Sequence, residues 1–170
     1  MAKSLFRRKT WSPAKAAFFL FVVAVLVALD QLVKWEVVRH IKNQDIPVLG
    51  DFLHFTYEEN TGAAFSLMTG KVWLLSLVSL IMVVVCLYIL LRQKLHAPLG
   101  NLALLLISSG GMGNLIDRLF RGYVVDFLYV KKINFAVFNV ADSYVVVGAI
   151  LLCIFLLREE RSGGREARRL

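Results

Sequence analysis

Four apolar runs divide the chain. Val72 to Leu91 and Ala97 to Ile116 are each about 20 residues without a formal charge, the length a helix needs to cross a bilayer. Ala16 to Leu29 and Ser143 to Leu157 are shorter, about 14 and 15 residues, or near 22 Å of helix against a hydrocarbon core of roughly 30 Å. Both reach full length only by taking in an aspartate, Asp30 in the first and Asp142 in the fourth. A carboxylate at that depth is costly unless something offsets it.

The runs predict spans near 16–35, 72–91, 97–116 and 139–157 in a single membrane domain, with connections at 36–71 and 117–138. The linker RQKLHAP is short, which makes the second and third helices antiparallel neighbours, and Pro98 falls in a first turn where its missing N–H does little harm. In DFLHFTYEEN, Leu53, Phe55 and Tyr57 alternate with His54, Thr56 and Glu58, the period of a half-buried strand. Asn60-Thr61-Gly62 breaks that strand, and AAFSLM then has the makings of a short helical turn. The segment Phe52 to Met68 is expected to lie on the membrane surface as a lid. VVDFLYV and FAVFNV flank KKIN and permit a hairpin with Asp126 opposite Asn139. The expected class is an all-α integral membrane protein of four transmembrane helices with a small external β-containing subdomain.

Composition fits this picture: 58% of the 170 residues are hydrophobic, more than a soluble domain needs. The net charge of +8 would fit nucleic acid, but its distribution does not. Twelve of the 20 Lys and Arg lie in the N-terminal tail, at Arg92 and Lys94, and in the tail from Arg158 to Arg169, all on one side of a four-span protein. Positive residues favour the cytoplasm, so both termini are expected there and both long connections outside. Asp30-Gln31 after the first run is not a small-x-small cleavage site, and that run reads as a retained anchor. Cys86 and Cys153 lack CxxC spacing and read as core thiols.

On this topology the costly polar groups gather at one boundary. Asp30 is near the outer end of the first span, Asn114, Asp117 and Arg118 end the third, Asn139 and Asp142 start the fourth, and Asp126 lies between. All but Asp126 have a plain structural alternative. Asn139 and Asp142 can cap a helix, Asp30 can pair with Lys34 one turn on, and Asn114, Asp117, Arg118 and Arg121 share a helical face. SSGGMG reads as close helix packing rather than a phosphate loop. Asp126 resists such explanations, standing among apolar residues with no adjacent cation. MTGK lacks the remaining Walker residues, the three histidines lack HExxH spacing, no GxSxG is present, and a Ser66–Lys71 pair has no supporting pattern. A transporter would carry polar groups through the full depth of the bilayer, and the inner halves of these spans look empty. A purely structural subunit is the third reading.

DQLVK at 30–34, ENTGAAFS at 59–66, GNLIDR at 113–118, GYVVDF at 122–127 and FNVADS at 138–143 resemble the lipoprotein signal peptidases, or signal peptidase II, in order and spacing. The resemblance covers roughly residues 18 to 157. It implies an aspartic endopeptidase of the bacterial cytoplasmic membrane, with its site at the outer face. Its substrate would be a prolipoprotein already carrying diacylglyceryl, cleaved before the modified cysteine. It implies Asp126 and Asp142 as the catalytic pair, with Asp30, Asn60, Asn114, Asp117, Arg118 and Asn139 around them. Neither metal nor other cofactor is expected. The partners are membrane lipids and the lipidated precursor, not nucleic acid, and a monomer is favoured.

Overall fold

The computed structural model describes residues 12–42, 44–62, 70–95 and 97–167, with side chains to 161. Four helices, α1 (Pro13–His40), α2 (Val72–Leu91), α3 (Pro98–Phe120) and α4 (Val140–Ala167), are each long and apolar enough to cross a membrane. Ser12 caps α1 by accepting from the Lys15 N–H at 3.3 Å, Pro13 opens its first turn, and Arg39 and His40 sit in its last. Only α2 keeps the predicted bounds. The other helices outrun their apolar stretches, and α3 continues through Asn114 and Asp117 because both find partners inside the bundle.

The bundle is organised around α3, of whose span 72% is buried against 17% in each of the other three. Its small residues explain the placement. A Cβ on Gly110 would strike the Ala141 carbonyl of α4, on Gly111 would meet Met82 and Val83 of α2 at 2.7 Å, and on Gly113 would lie 2.5 Å from the Asp30 carboxylate of α1. SSGGMG is therefore a packing surface, as expected. At the end where α1 begins, Phe19, Val23, Leu90, Leu95, Leu104 and Phe155 form the main apolar core. Asn101 is buried at that end too, with its Oδ1 unpartnered among the described residues, so this end of the bundle is not wholly free of polar groups. Cys86 is buried, but Cys153 is exposed on α4 and is not a core thiol.

The opposite end carries a three-stranded antiparallel sheet in the order β1 (Ile46–Leu49), β2 (Leu53–Asn60), β3 (Val124–Tyr129). The strand predicted from DFLHFTYEEN forms, but its buried member is His54 rather than the apolar set. The His54 Nδ1 lies 2.7 Å from Asp45 Oδ1, and Lys131 holds the other Asp45 oxygen at 3.1 Å, bracing the sheet across its width. Of the expected lid, AAFSLM lies outside the described residues. The hairpin around KKIN forms in reduced shape. Asn134 is left-handed (φ 48°), Phe135 N–H closes on Val130 O at 3.2 Å, and one further bridge joins Leu128 to Phe138. Phe127 and Leu128 both donate to the Phe138 carbonyl, at 3.0 and 2.8 Å, and beyond them Asp126 and Asn139 meet through their side chains.

Candidate active site

β3 is buried on both faces from Val124 to Phe127, which accounts for the apolar residues on either side of Asp126. Val125 and Phe127 pack on Val37 of α1. The pleat turns the alternate residues, Val124 and Asp126, into a cavity of about 590 Å³ between α2, α3 and α4. Asp142, Asn60, Asn114 and Arg118 also line it, with Met82 and Val146 among its apolar walls.

Asp126 is 1% exposed, and both of its oxygens are held. Asn60 donates to Oδ2 and Asn139 donates to Oδ1, each at 2.7 Å. Asn60 ends β2, and its own Oδ1 accepts from the Gly62 N–H at 2.8 Å, so the Asn-Thr-Gly break that stops the strand also aims the amide. Burial, and then the nearby Asp142 charge, push the Asp126 carboxyl up from 3.8 to about 7, against the opposing pull of the two amides.

Asp142 is a helix cap, as its plain reading proposed. Asn139 Oδ1 accepts from the Asp142 N–H at 2.8 Å, and Asp142 Oδ2 accepts from the Asn139 N–H at 3.1 Å. This is a reciprocal capping box. Capping uses only one carboxylate oxygen. The other, Oδ1, accepts from Asn114 Nδ2 at 2.7 Å. Asn139 thus serves both acids, through its side chain to Asp126 and its backbone to Asp142.

Asp30 and Asp117 belong to a second cluster and do not line the cavity. Lys34 Nζ, fully buried, lies 2.9 Å from Asp30 Oδ2, from Asp117 Oδ2 and from Asn114 Oδ1. Asp30 Oδ1 accepts from the Ala141 N–H at 3.0 Å, and Asp117 Oδ2 from the Val125 N–H at 3.3 Å. These bonds tie α1 to the first turn of α4 and α3 to β3, one residue before each cavity aspartate. Arg118 bonds the Gly62 carbonyl at 3.3 Å, and Arg121 reaches Asp117 at 3.5 Å. Lys34 is the hub that sequence reasoning undervalued. DQLVK shows its pairing with Asp30, but its bonds to residues 80 and more positions away leave no local trace. Gln31, which bridges Asp30, Asp117 and the Gly113 carbonyl, gave no signal at all.

Fold and site together define a multi-pass membrane protein whose polar groups converge on one cavity beside its sheet. The family model described as signal peptidase (SPase) II matches residues 22–158. A lipoprotein signal peptidase of Halalkalibacterium halodurans is 40% identical over 151 residues, covering 87% of this chain and 97% of its own. One of Streptococcus agalactiae is 43% identical over 143 residues, covering 84% and 93%. Two bacterial membrane enzyme structures, solved by the in meso method at 2.3 and 1.9 Å, superpose with TM-scores of 0.77 and 0.73 at 28% identity. They cover 85% and 83% of this chain, and 90% and 93% of their own. The chain belongs to the signal peptidase II family, whose members are peptidases.

Proposed function

We propose that this protein is a membrane aspartic endopeptidase. It removes the signal peptide from diacylglyceryl-modified bacterial prolipoproteins and cleaves before the lipidated cysteine. The observation that carries the reading is the joint exposure of Asp126 and Asp142 to one cavity, bridged by Asn139 and, among the described residues, with no cation bonded to either. Two carboxylates so placed share one proton. In the first step the ionised carboxylate takes a proton from water as its oxygen bonds to the scissile carbonyl carbon. In the second, the carboxyl that holds the shared proton gives it to the leaving nitrogen as the C–N bond breaks. The proton is written on Asp126, the acid that burial holds near neutrality. Arg118, in the same cavity, is placed to meet negative charge on the tetrahedral carbon's oxygen.

The apolar walls suit the rest of the substrate. α2 and α4 pack on α3, and the cavity between them is lined by Met82 on one side and by Val145 and Val146 on the other. An acyl chain entering from lipid would find an apolar bed there, while the peptide remains at the sheet end. In this reading the sheet end faces outward, both termini are cytoplasmic in the bacterial inner membrane, and one copy suffices. A carrier is disfavoured because the Phe19–Leu104–Phe155 core fills the other end of the bundle.

The direct test incubates purified protein with a diacylglyceryl precursor peptide. Cleavage before the modified cysteine, lost in Asp126→Asn and Asp142→Asn, is the expected result, and undiminished cleavage by either variant ends the two-aspartate mechanism. Exhaustive chelation should leave the rate unchanged. Cysteines placed at Lys42 and Lys131 should react with an impermeant external reagent, and protection of both would reverse the topology.

A further inference from the structure

Residues 134–138 return from β3 to α4, and Phe135, Ala136, Val137 and Phe138 form a wall of the cavity. Phe138 is paired to β3: its N–H donates to Leu128 O at 3.0 Å, and its carbonyl accepts from Phe127 and Leu128 at 3.0 and 2.8 Å. Val137 is not. Among the described residues, neither its N–H nor its carbonyl has a hydrogen-bond partner.

Peptide planarity decides where that free carbonyl points. In a trans peptide the C=O and the next N–H project to opposite sides, and the described chain has no cis bond. The Phe138 N–H faces β3, so the Val137 carbonyl faces away from it. One peptide on, the Phe138 carbonyl faces β3, so the Asn139 N–H faces away, and that N–H donates to Asp142 Oδ2. The free carbonyl and the Asp142 carboxylate therefore lie on the same side of the segment, two residues or about 7 Å apart.

We propose that the substrate peptide lies along 135–138 as an added strand and donates a backbone N–H to the Val137 carbonyl, which sets its scissile bond against Asp126 and Asp142. The proposal rests on the peptidase reading above. An unpaired strand edge beside apolar walls is a template for another chain, and added strands are held by main-chain bonds. Such pairing fixes direction and register without reading side chains. Val137 is in this sense a positioning residue, two positions before the cap that holds Asp142.

The test replaces single amides of a cleavable precursor by esters, one position at a time on either side of the scissile bond. Each ester deletes one substrate N–H. One position should raise KM roughly tenfold with little change in kcat, while its neighbours, whose N–H groups face away, lose less. On the protein side, Val137→Pro deletes a free N–H and with it the return bond of an added strand. It should raise KM, and the ester penalty should shrink in that background because the two losses share one contact. Val137→Ala keeps the N–H and should raise KM far less. If Val137→Pro loses its melting transition, the ester scan on the parent protein decides alone. A parent protein that cuts the precursor with the same KM at every ester position overturns the added strand and leaves the peptidase reading standing. Failure to cut any precursor overturns both.

Discussion

Two pairs of aspartates meet at Asn114, and they are stabilised in opposite ways. Asp30 and Asp117, both 0% exposed, close on the Lys34 ammonium at 2.9 Å and accept from the Ala141 and Val125 N–H groups. Asp126 and Asp142 have amide and backbone donors from Asn60, Asn114 and Asn139 but, among the described residues, no ammonium or guanidinium within bonding distance. The first pair lies between helices and outside the cavity, whereas the second lines it. A buried carboxylate bonded to a lysine serves to join segments. Carboxylates that line a cavity and are held by neutral donors are open to water and substrate. Asn114 links the two, accepting from Lys34 and donating to Asp142.

The largest expected difference between the pairs lies in activity. Asp126→Asn or Asp142→Asn should each lower the cleavage rate by about 10⁴-fold or more, and the double variant should be scarcely worse, because the two act as a unit. Asparagine can still cap α4, so melting temperatures should stay near the parent value. Equal and independent losses that multiply in the double variant would dissolve the pair into two unrelated residues. Activity surviving in Asp142→Asn would leave Asp142 a cap only. Asp117, the next candidate on the sequence, is held by Lys34 away from the cavity and is poorly placed to replace it.

The lysine-bound pair should respond in stability instead. Lys34→Met strands two buried carboxylates and should cost about 3–5 kcal/mol, read as a large drop in melting temperature. Asp30→Asn and Asp117→Asn each leave Lys34 one carboxylate, and a smaller loss of about 1–3 kcal/mol is expected, with measurable cleavage remaining. If Asp117→Asn instead abolished cleavage at unchanged stability, the division between the pairs would be wrong.

Most of this architecture was legible in local pattern. An uncharged run of 20 residues allows little except a span, and α2 has the predicted bounds. Six predicted polar residues do meet, Asn60, Asn114, Arg118, Asp126, Asn139 and Asp142, because each stands at an element boundary or within an apolar run where its presence needs a reason. What was not legible depends on distance along the chain. Nothing local marks Lys34 as the partner of Asp117 and Asn114, and β1, four residues with a proline, takes its strand character only from pairing with β2. His54 took the buried position of its strand because Asp45 and the fold give it a partner, which hydrophobic alternation cannot foresee.

The smallest effect expected is also the one that probes why the cavity pair titrates at all. Asn60 donates to Asp126 Oδ2 at 2.7 Å, and a donor to a carboxylate favours its charged form. Asn60→Ala removes that pull and leaves burial and the Asp142 charge less opposed, so the Asp126 carboxyl should move further up from about 7. If Asp126 carries the shared proton, the alkaline limb of the rate–pH profile should move to higher pH, with the rate at neutral pH lower by roughly tenfold for one lost hydrogen bond. Stability gives an independent reading. A carboxyl that binds its proton more tightly when folded makes the protein most stable below the ordinary value of 3.8, and that contribution is lost as pH rises through about 7. Melting temperatures measured from pH 4 to 9 should therefore decline with a midpoint that is higher in Asn60→Ala than in the parent, while Asp126→Asn should lack this decline. Coincident rate and melting profiles for the parent and Asn60→Ala would mean that the amide orients a chain segment and has no hold on the proton.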